Sequence, residues 1–190
     1  MRKLKSKHTE TKKQKRNQVI IGVILIFVMF GSVFGVIVGS FGKNSSLKKI
    51  SYNSYEFVKQ NNFWVLNLGD FEFAFRYNPN EVEKIDSKLE YLNHYYDKPL
   101  YISSENNEAT SEIALNLDQI TLRIQPACLE EEGCEENLPV KTCENNFIII
   151  TKSNESKITQ NESCVFIQGA EENLTKLSDE FLFKIMGIRE

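Results

Sequence analysis

The sequence predicts an α+β domain that follows a single transmembrane helix, and three patterns indicate this architecture. Val19 to Val38 form a run of twenty residues without a charge. That length matches the roughly 20 residues with which an α-helix crosses a hydrocarbon core of about 30 Å. Aromatic residues alternate with others between Phe71 and Tyr77, as in a strand with one buried face. Apolar residues near the end of the chain instead recur at helical spacing.

A basic flank orients the predicted transmembrane helix. The first sixteen residues contain eight Lys or Arg and one acidic residue, whereas only three lysines follow soon after the apolar run. Basic residues beside a spanning helix stay in the cytoplasm, so the C-terminal part is predicted to lie outside. We therefore divide the chain into a cytoplasmic tail (1–18), a transmembrane helix (19–40), a stalk (41–54) and an extracytoplasmic α+β domain (55–190). A cleaved signal peptide is the alternative, with Val38-Gly39-Ser40 as its cleavage site.

The charge distribution indicates which partners the two ends meet. The first sixteen residues have a net charge of +7, and the rest hold 15 of the 23 basic and 25 of the 26 acidic residues, a net charge of −10. A basic segment next to a bilayer is attracted to anionic headgroups, so the lipid bilayer is the first predicted partner. Nucleic acid is not predicted, because the tail has no aromatic residue to stack on bases.

Small residues form a stripe along the predicted transmembrane helix. Gly31, Gly35 and Gly39 recur at every fourth position. Such stripes let two helix backbones approach closely, which makes these glycines candidates for helix packing and self-association. Glycines that simply face lipid are the alternative, since Gly is common in membrane helices.

The outer domain is predicted to begin with a β-meander. Its strands are expected at 55–59, 63–68 and 71–77, with Gly69-Asp70 as a tight turn. After Asn78-Pro79 we expect a helix, because Asn80 and Glu83 resemble a capping box. The apolar residues that follow at helical spacing are Val82, Ile85, Leu89 and Leu92.

The second half of the domain alternates strands and helices. A strand at 99–103, a helix at 105–117 and a strand at 120–125 are typical of a parallel crossover unit. Two more strands are expected at 147–151 and 164–168, joined by a long polar connection, and a helix at 172–186 ends at Gly187. The predicted fold class is therefore α+β, with a mostly antiparallel sheet and two or three packed helices.

All four cysteines lie in the predicted outer domain, where an even number favours disulfides. Of the three possible pairings we favour Cys128–Cys134, which would close a short loop, with Cys143–Cys164, which would join two strand ends, although spacing alone does not determine connectivity. Zinc is the alternative, although no C-x-x-C pair is present and His94 is the only nearby imidazole. No metal or cofactor is predicted.

The last 50 residues or so resemble the C-terminal part of uncharacterised membrane-anchored or exported proteins of small-genome archaea. The segments that carry the resemblance are Thr142 to Asn145, Ile148 to Ile150, Asn154 to Ile158, Glu162 to Gly169, Leu177 to Asp179, Phe181, Lys184 and Gly187-Ile188. The resemblance implies an extracytoplasmic domain of unknown activity and supports Cys143–Cys164 as a pair. It implies no catalytic residue.

Candidate catalytic residues are few. The outer domain has one histidine, His94, so every imidazole-based mechanism depends on it. Paired carboxylates could perform acid–base work, and the candidates are Asp70, Glu72, Asp97 and Asp118. The glutamates around Cys134 could hold a calcium ion, but a solvated acidic loop is favoured over a binding site. No phosphate-binding or dinucleotide-binding glycine motif is present.

These patterns favour a membrane-tethered extracytoplasmic module that binds a partner or has a structural role in the cell envelope. Its partner would be an envelope protein or glycan. A pilin-like filament subunit is one alternative, although Arg16-Asn17-Gln18 lacks the Gly or Ala of a processing site. A membrane-anchored hydrolase that uses carboxylates is the other.

Overall fold

The computed structural model describes residues 20–23, 25, 48–129, 134 and 137–189. The chain divides into two units, residues 1–46 and 47–190. In the first unit, residues 20–23 and 25 are helical. No helix among the described residues has both the length and the apolar character needed to cross a membrane. The predicted tail, most of the predicted transmembrane helix, and Gly31, Gly35 and Gly39 lie outside the described residues.

The second unit begins with a four-stranded antiparallel sheet. Its strands follow chain order and are β1 (Lys49–Tyr52), β2 (Tyr55–Gln60), β3 (Phe63–Leu68) and β4 (Phe71–Phe75). Gly69 has a φ of +62° in the β3–β4 turn, a conformation that glycine adopts without steric cost. The predicted meander is thus confirmed. The additional strand β1 lies inside the predicted stalk, so the end of that range belongs to the sheet.

A second sheet of five strands mixes parallel and antiparallel pairs. Its strands are β5 (Pro99–Ser104), β6 (Arg123–Pro126), β9 (Asn146–Lys152), β10 (Lys157–Asn161) and β11 (Cys164–Gly169), in the order β10-β11-β9-β5-β6. Only β10 and β11 pair antiparallel. The short strands β7 (Cys128–Leu129) and β8 (Val140–Lys141) pair parallel beside it. The α+β class is confirmed, but an antiparallel majority holds only for the first sheet.

Two helices accompany the sheets. Helix α1 (Asn107–Leu117) connects the parallel strands β5 and β6, as predicted for a crossover unit. Its N-cap is Asn106, whose side chain accepts a hydrogen bond from the backbone N–H of Ala109 at 2.8 Å. Helix α2 (Leu174–Ile185) follows a short 3₁₀ turn and packs against α1 and β11. Gly187 has a φ of +70° just beyond its end.

The core lies on both faces of β9. Ile148 and Ile150 face the main core, while Phe147 and Ile149 belong to a smaller cluster on the opposite side. This explains why β9 reads as a continuous apolar run. Within the main core, Phe183 of α2 contacts two aromatic residues of the first sheet, with ring centroids 5.9 Å from Phe57 and 4.7 Å from Phe75.

Two disulfides close the region around this smaller cluster. Cys128 is bonded to Cys134 with a Cα–Cα distance of 5.6 Å, and Cys143 to Cys164 with a distance of 4.9 Å. Cys164 is fully buried at the start of β11. The favoured pairing is therefore confirmed.

The edge strand β4 and the residue after it are bonded to polar side chains of α1 and of Gln119 just beyond that helix. The Asn116 amide accepts a hydrogen bond from the N–H of Ala74 at 2.8 Å and donates one to its carbonyl at 2.9 Å. One turn earlier, Glu112 accepts from the N–H of Arg76 at 2.9 Å. Gln119 donates to the carbonyl of Glu72 at 2.8 Å. The backbone groups of an edge strand, which have no neighbouring strand, are thus satisfied by a helix.

Two predictions for the loops are wrong. The connection between β9 and β11 contains β10, which buries Ile158. The helix predicted from Asn80 does not form, and only the 3₁₀ turn Leu92–His94 appears in this region. Val82 and Ile85 are buried as their spacing suggested, but the N–H of Ile85 donates to the side chain of Glu180 at 3.1 Å. A side chain of α2 therefore replaces the carbonyl that a helix would have supplied.

Candidate functional site

The segment between β4 and β5, residues 76–98, is the longest irregular stretch of the described domain, and we call it the crossing segment. Two adjacent acids of α2 hold its backbone. Asp179 accepts a hydrogen bond from the N–H of Tyr77 at 2.9 Å, and Glu180 accepts one from the N–H of Ile85. Long ordered loops with little secondary structure are usually functional, which makes this segment the first place to look for a site.

Arg189 also holds the crossing segment in place. It is 9% exposed and forms an ion pair with Glu180. Its guanidinium also donates to the carbonyls of Pro79 and Val82 and to the hydroxyl of Tyr52 in β1. Because one planar group makes all of these bonds, Arg189 fixes the crossing segment to α2 and to the first sheet.

A cavity of about 490 Å³ lies between the crossing segment and the end of α2, and we call it the C-terminal cavity. Its main lining residues are Ser87, Lys88, Leu89, Tyr91, Lys184 and Arg189. Three of these six side chains are basic, Ser87 has a hydroxyl group, and the other two, Leu89 and Tyr91, are apolar or aromatic. A concave site with a few polar groups on an apolar wall is the usual form of a ligand-binding pocket.

Lys184 is the most unusual residue of this cavity. It is 7% exposed, and it belongs to none of the ion pairs found among the described residues. The nearest acid in its helix, Glu180, is already bonded to Arg189 and to the N–H of Ile85. Burial raises the pKa of Glu180, while Arg189, Ile85 and Lys184 each oppose that effect. Lys184 is thus a largely buried lysine that takes part in no ion pair among the described residues.

A pair of buried carboxyl groups lies where α1, α2 and the crossing segment meet. Asp179 is fully buried, and Glu112 of α1 is 2% exposed. Burial raises the pKa of Asp179 well above its usual range, and the charge of Glu112 raises it further. Arg76, whose Nε lies 3.7 Å from Glu112, partly opposes the rise. We infer that Asp179 keeps its proton at a pH where exposed carboxyl groups have lost theirs.

Asp179→Asn should therefore reduce the pH dependence of stability. A raised folded-state pKa stabilises the fold below the unfolded pKa of about 3.9, and this contribution is lost as the pH rises through the folded-state value. Each pKa unit that separates the two states is worth about 1.4 kcal/mol. Asparagine keeps the acceptor for the N–H of Tyr77 but does not titrate. Urea unfolding at a series of pH values from 4 to 8 should show a flatter curve for the variant.

The control for this prediction is Asp118→Asn, which removes an exposed carboxyl group at the end of α1. This variant should show the same change of unfolding free energy with pH as the wild type. Equal slopes for wild type and Asp179→Asn would show that the buried pair does not hold a proton.

His94 lies in a different cavity, of about 320 Å³, which Lys98, Tyr101 and Glu144 also line. The hydrogen bond from Arg123 lowers the pKa of the Tyr101 hydroxyl. The Nε2 atom of His94 is buried and has no hydrogen-bond partner among the described residues. The imidazole therefore shares a cavity with one carboxylate, but its Nε2 is not oriented by it as in a catalytic dyad.

The carboxylates predicted as acid–base candidates are not brought together in either cavity. Asp70 lies in the β3–β4 turn, Glu72 in β4, Asp97 just before β5 and Asp118 at the end of α1, and all four are exposed. The described residues contain no group of three or more His, Cys, Asp or Glu arranged to hold a metal ion. Of the acidic loop predicted around Cys134, the glutamates Glu130, Glu131, Glu132, Glu135 and Glu136 lie outside the described residues.

Sequence reasoning missed both the C-terminal cavity and the buried acids. None of Asp179, Glu180 and Lys184 belongs to the apolar residues that predicted the buried face of α2. These three residues are buried because the crossing segment covers their side of the helix. The available signal was the pair Asp179-Glu180 inside a strongly apolar helix, which is costly unless both carboxyl groups have partners.

Comparison of the chain with protein-family models, curated proteins and solved structures finds no match.

Proposed function

We propose that this chain is a membrane-tethered extracytoplasmic module of the cell envelope that binds a partner through its folded domain. The observation that carries the proposal is the pair of disulfides, Cys128–Cys134 and Cys143–Cys164, in one domain. Disulfides persist outside the cytoplasm and are rare within it. The basic tail and the apolar run before the domain add a tether and an orientation.

The charge distribution supports the same arrangement. A tail with a net charge of +7 favours an anionic cytoplasmic leaflet, whereas the acidic remainder is repelled by anionic headgroups. In this proposal the bilayer is the permanent partner of the chain. Gly31, Gly35 and Gly39 would allow two anchors to associate, and the C-terminal cavity would bind the envelope ligand.

The orientation can be tested by cysteine labelling. Asn154→Cys introduces a thiol at an exposed position between β9 and β10, and Ser6→Cys introduces one in the tail. A membrane-impermeant maleimide should label position 154 in intact cells and position 6 only after the cells are permeabilised. Labelling of position 6 in intact cells, or protection of position 154, would contradict the proposed topology.

A further inference from the structure

We propose that the C-terminal cavity binds an oxyanion, a carboxylate or phosphate group, carried by a ligand whose uncharged part lies against Leu89 and Tyr91. This inference rests on the proposed function and names the chemistry of its ligand. Three features support it: the charge that lines the cavity, the burial of Lys184, and the shape of the wall opposite.

The cavity is positive although the domain around it is acidic. Lys88, Lys184 and Arg189 line it, and Glu180 is the acid bonded to Arg189. The lining residues thus include three cations and no acid, and one of the three cations is paired with Glu180. Because the chain after residue 16 has a net charge of −10, the local excess does not reflect a general surplus of basic residues. A local patch of one sign inside a concave surface concentrates ligands of the opposite sign.

Two polar side chains of the cavity, Lys184 and Ser87, could bond to a ligand. Lys184 is more than nine-tenths buried, yet no ion pair among the described residues includes it. The hydroxyl of Ser87 is buried and has no hydrogen-bond partner within the same part of the chain. An oxyanion in the cavity could bond to the ammonium group of Lys184 and accept a hydrogen bond from the hydroxyl of Ser87.

The rest of the cavity is suited to an uncharged group. Tyr91 is 65% exposed, and with Leu89 it forms a wall beside the lysines. At about 490 Å³, the cavity also falls within the range of roughly 300–1,000 Å³ that is typical of small-molecule sites. We therefore expect a larger organic anion to bind more tightly than a bare one.

Binding can be measured by calorimetry on the full-length protein in detergent. The probes are acetate and inorganic phosphate as bare anions, benzoate and phenyl phosphate as anions with a ring, and benzyl alcohol as a neutral control. We expect saturable binding of at least one ringed anion, tighter than that of its bare counterpart, and none of benzyl alcohol. The better of benzoate and phenyl phosphate identifies the preferred oxyanion. No saturable binding of any anion would overturn the proposal.

Variants locate the site. Lys184→Met keeps the apolar stem and should weaken binding at least tenfold, whereas Lys184→Arg should restore most of it. Lys176→Met removes the same charge about two turns earlier in α2 and should change affinity less than twofold. Lys88 is exposed, so Lys88→Met tests the cavity even if Lys184→Met fails to fold, and it should weaken binding severalfold. Two results would contradict the assignment, and both include unchanged affinity in Lys88→Met. In the first, Lys184→Met also leaves affinity unchanged. In the second, Lys176→Met weakens binding as much as Lys184→Met does.

The two proposals can fail separately. If no anion binds, the proposed ligand class is wrong, but the cysteine labelling can still support the proposed tether. If the labelling is reversed, the proposed envelope location is wrong, but the proposal that the cavity binds an anion is unaffected.

Discussion

Arg189→Met should lower the free energy of unfolding by about 3–5 kcal/mol, the range for breaking a buried ion pair from one side. The substitution leaves the fully buried Glu180 without its charged partner. It also removes the donors to the carbonyls of Pro79 and Val82, which hold the crossing segment. Urea unfolding can be followed by the fluorescence of Trp64, the single tryptophan, which is 1% exposed in β3.

The matched control for Arg189→Met is Lys49→Met, which breaks the ion pair with Glu56 at the surface. The side chains of that pair are 56% and 61% exposed, and its loss should cost less than about 1 kcal/mol. Adding Glu180→Gln to Arg189→Met should recover part of the loss, because the buried charge then disappears as well. If Arg189→Met costs no more than Lys49→Met, the crossing segment does not depend on the guanidinium.

Removing the Cys143–Cys164 disulfide should cost about 3 kcal/mol, and removing Cys128–Cys134 about 2 kcal/mol. The difference follows from loop length, since the paired residues are 21 positions apart in the first case and 6 in the second. Paired alanine variants avoid free thiols, and urea unfolding gives both values. The longer loop also joins the start of β11 to the residues before β9, two neighbouring strands of the second sheet.

The comparison between the two disulfides is the decisive part of this prediction. Each double variant serves as the control for the other, because both replace two cysteines by two alanines. A larger loss for Cys128–Cys134 would show that the chain-entropy argument does not describe these bonds. A loss for neither would show that the fold does not depend on them.

Local patterns predicted the regular elements well. The alternation in β4 and the spacing of Ala109, Ile113 and Leu117 in α1 each gave the correct element, because one face of each is buried. Strand β10 was missed because only Ile158 of its five residues is buried, which leaves no alternation to detect. A short polar strand is defined by its neighbour, here β11, and not by its own composition.

The helix predicted from Asn80 shows where local reasoning fails. Its apolar residues have helical spacing, but the N–H groups of Tyr77 and Ile85 bond to acids of α2, far away in the chain. Asn78 and Glu81 form a local turn in which the N–H of Asn78 donates to the side chain of Glu81 at 2.9 Å. Glu81 also accepts a hydrogen bond from Trp64 at 3.1 Å. Tertiary bonds thus determine the backbone, and no local window contains them.

The candidate site was hidden for the same reason. His94 could be singled out because it is the only imidazole of the domain, and it does line a cavity. Lys184 could not, because a lysine in the last turn of a helix is ordinarily a solvated residue that complements the helix dipole. Its burial results from the crossing segment and from Arg189, which meet only in the folded chain.

The hydrogen bonds between α1 and β4 have a consequence for assembly. A free strand edge is a template on which another chain can add a strand, and such addition drives aggregation as well as some filament contacts. At Ala74 in β4 and at Arg76 just after it, the backbone groups that an incoming strand would use are bonded to Asn116 and Glu112. In the arrangement proposed above, a tether would confine many copies to a thin layer at the membrane, where concentration favours unwanted pairing. Helix α1 therefore leaves fewer free backbone groups at this edge for a strand of a second copy to bond to.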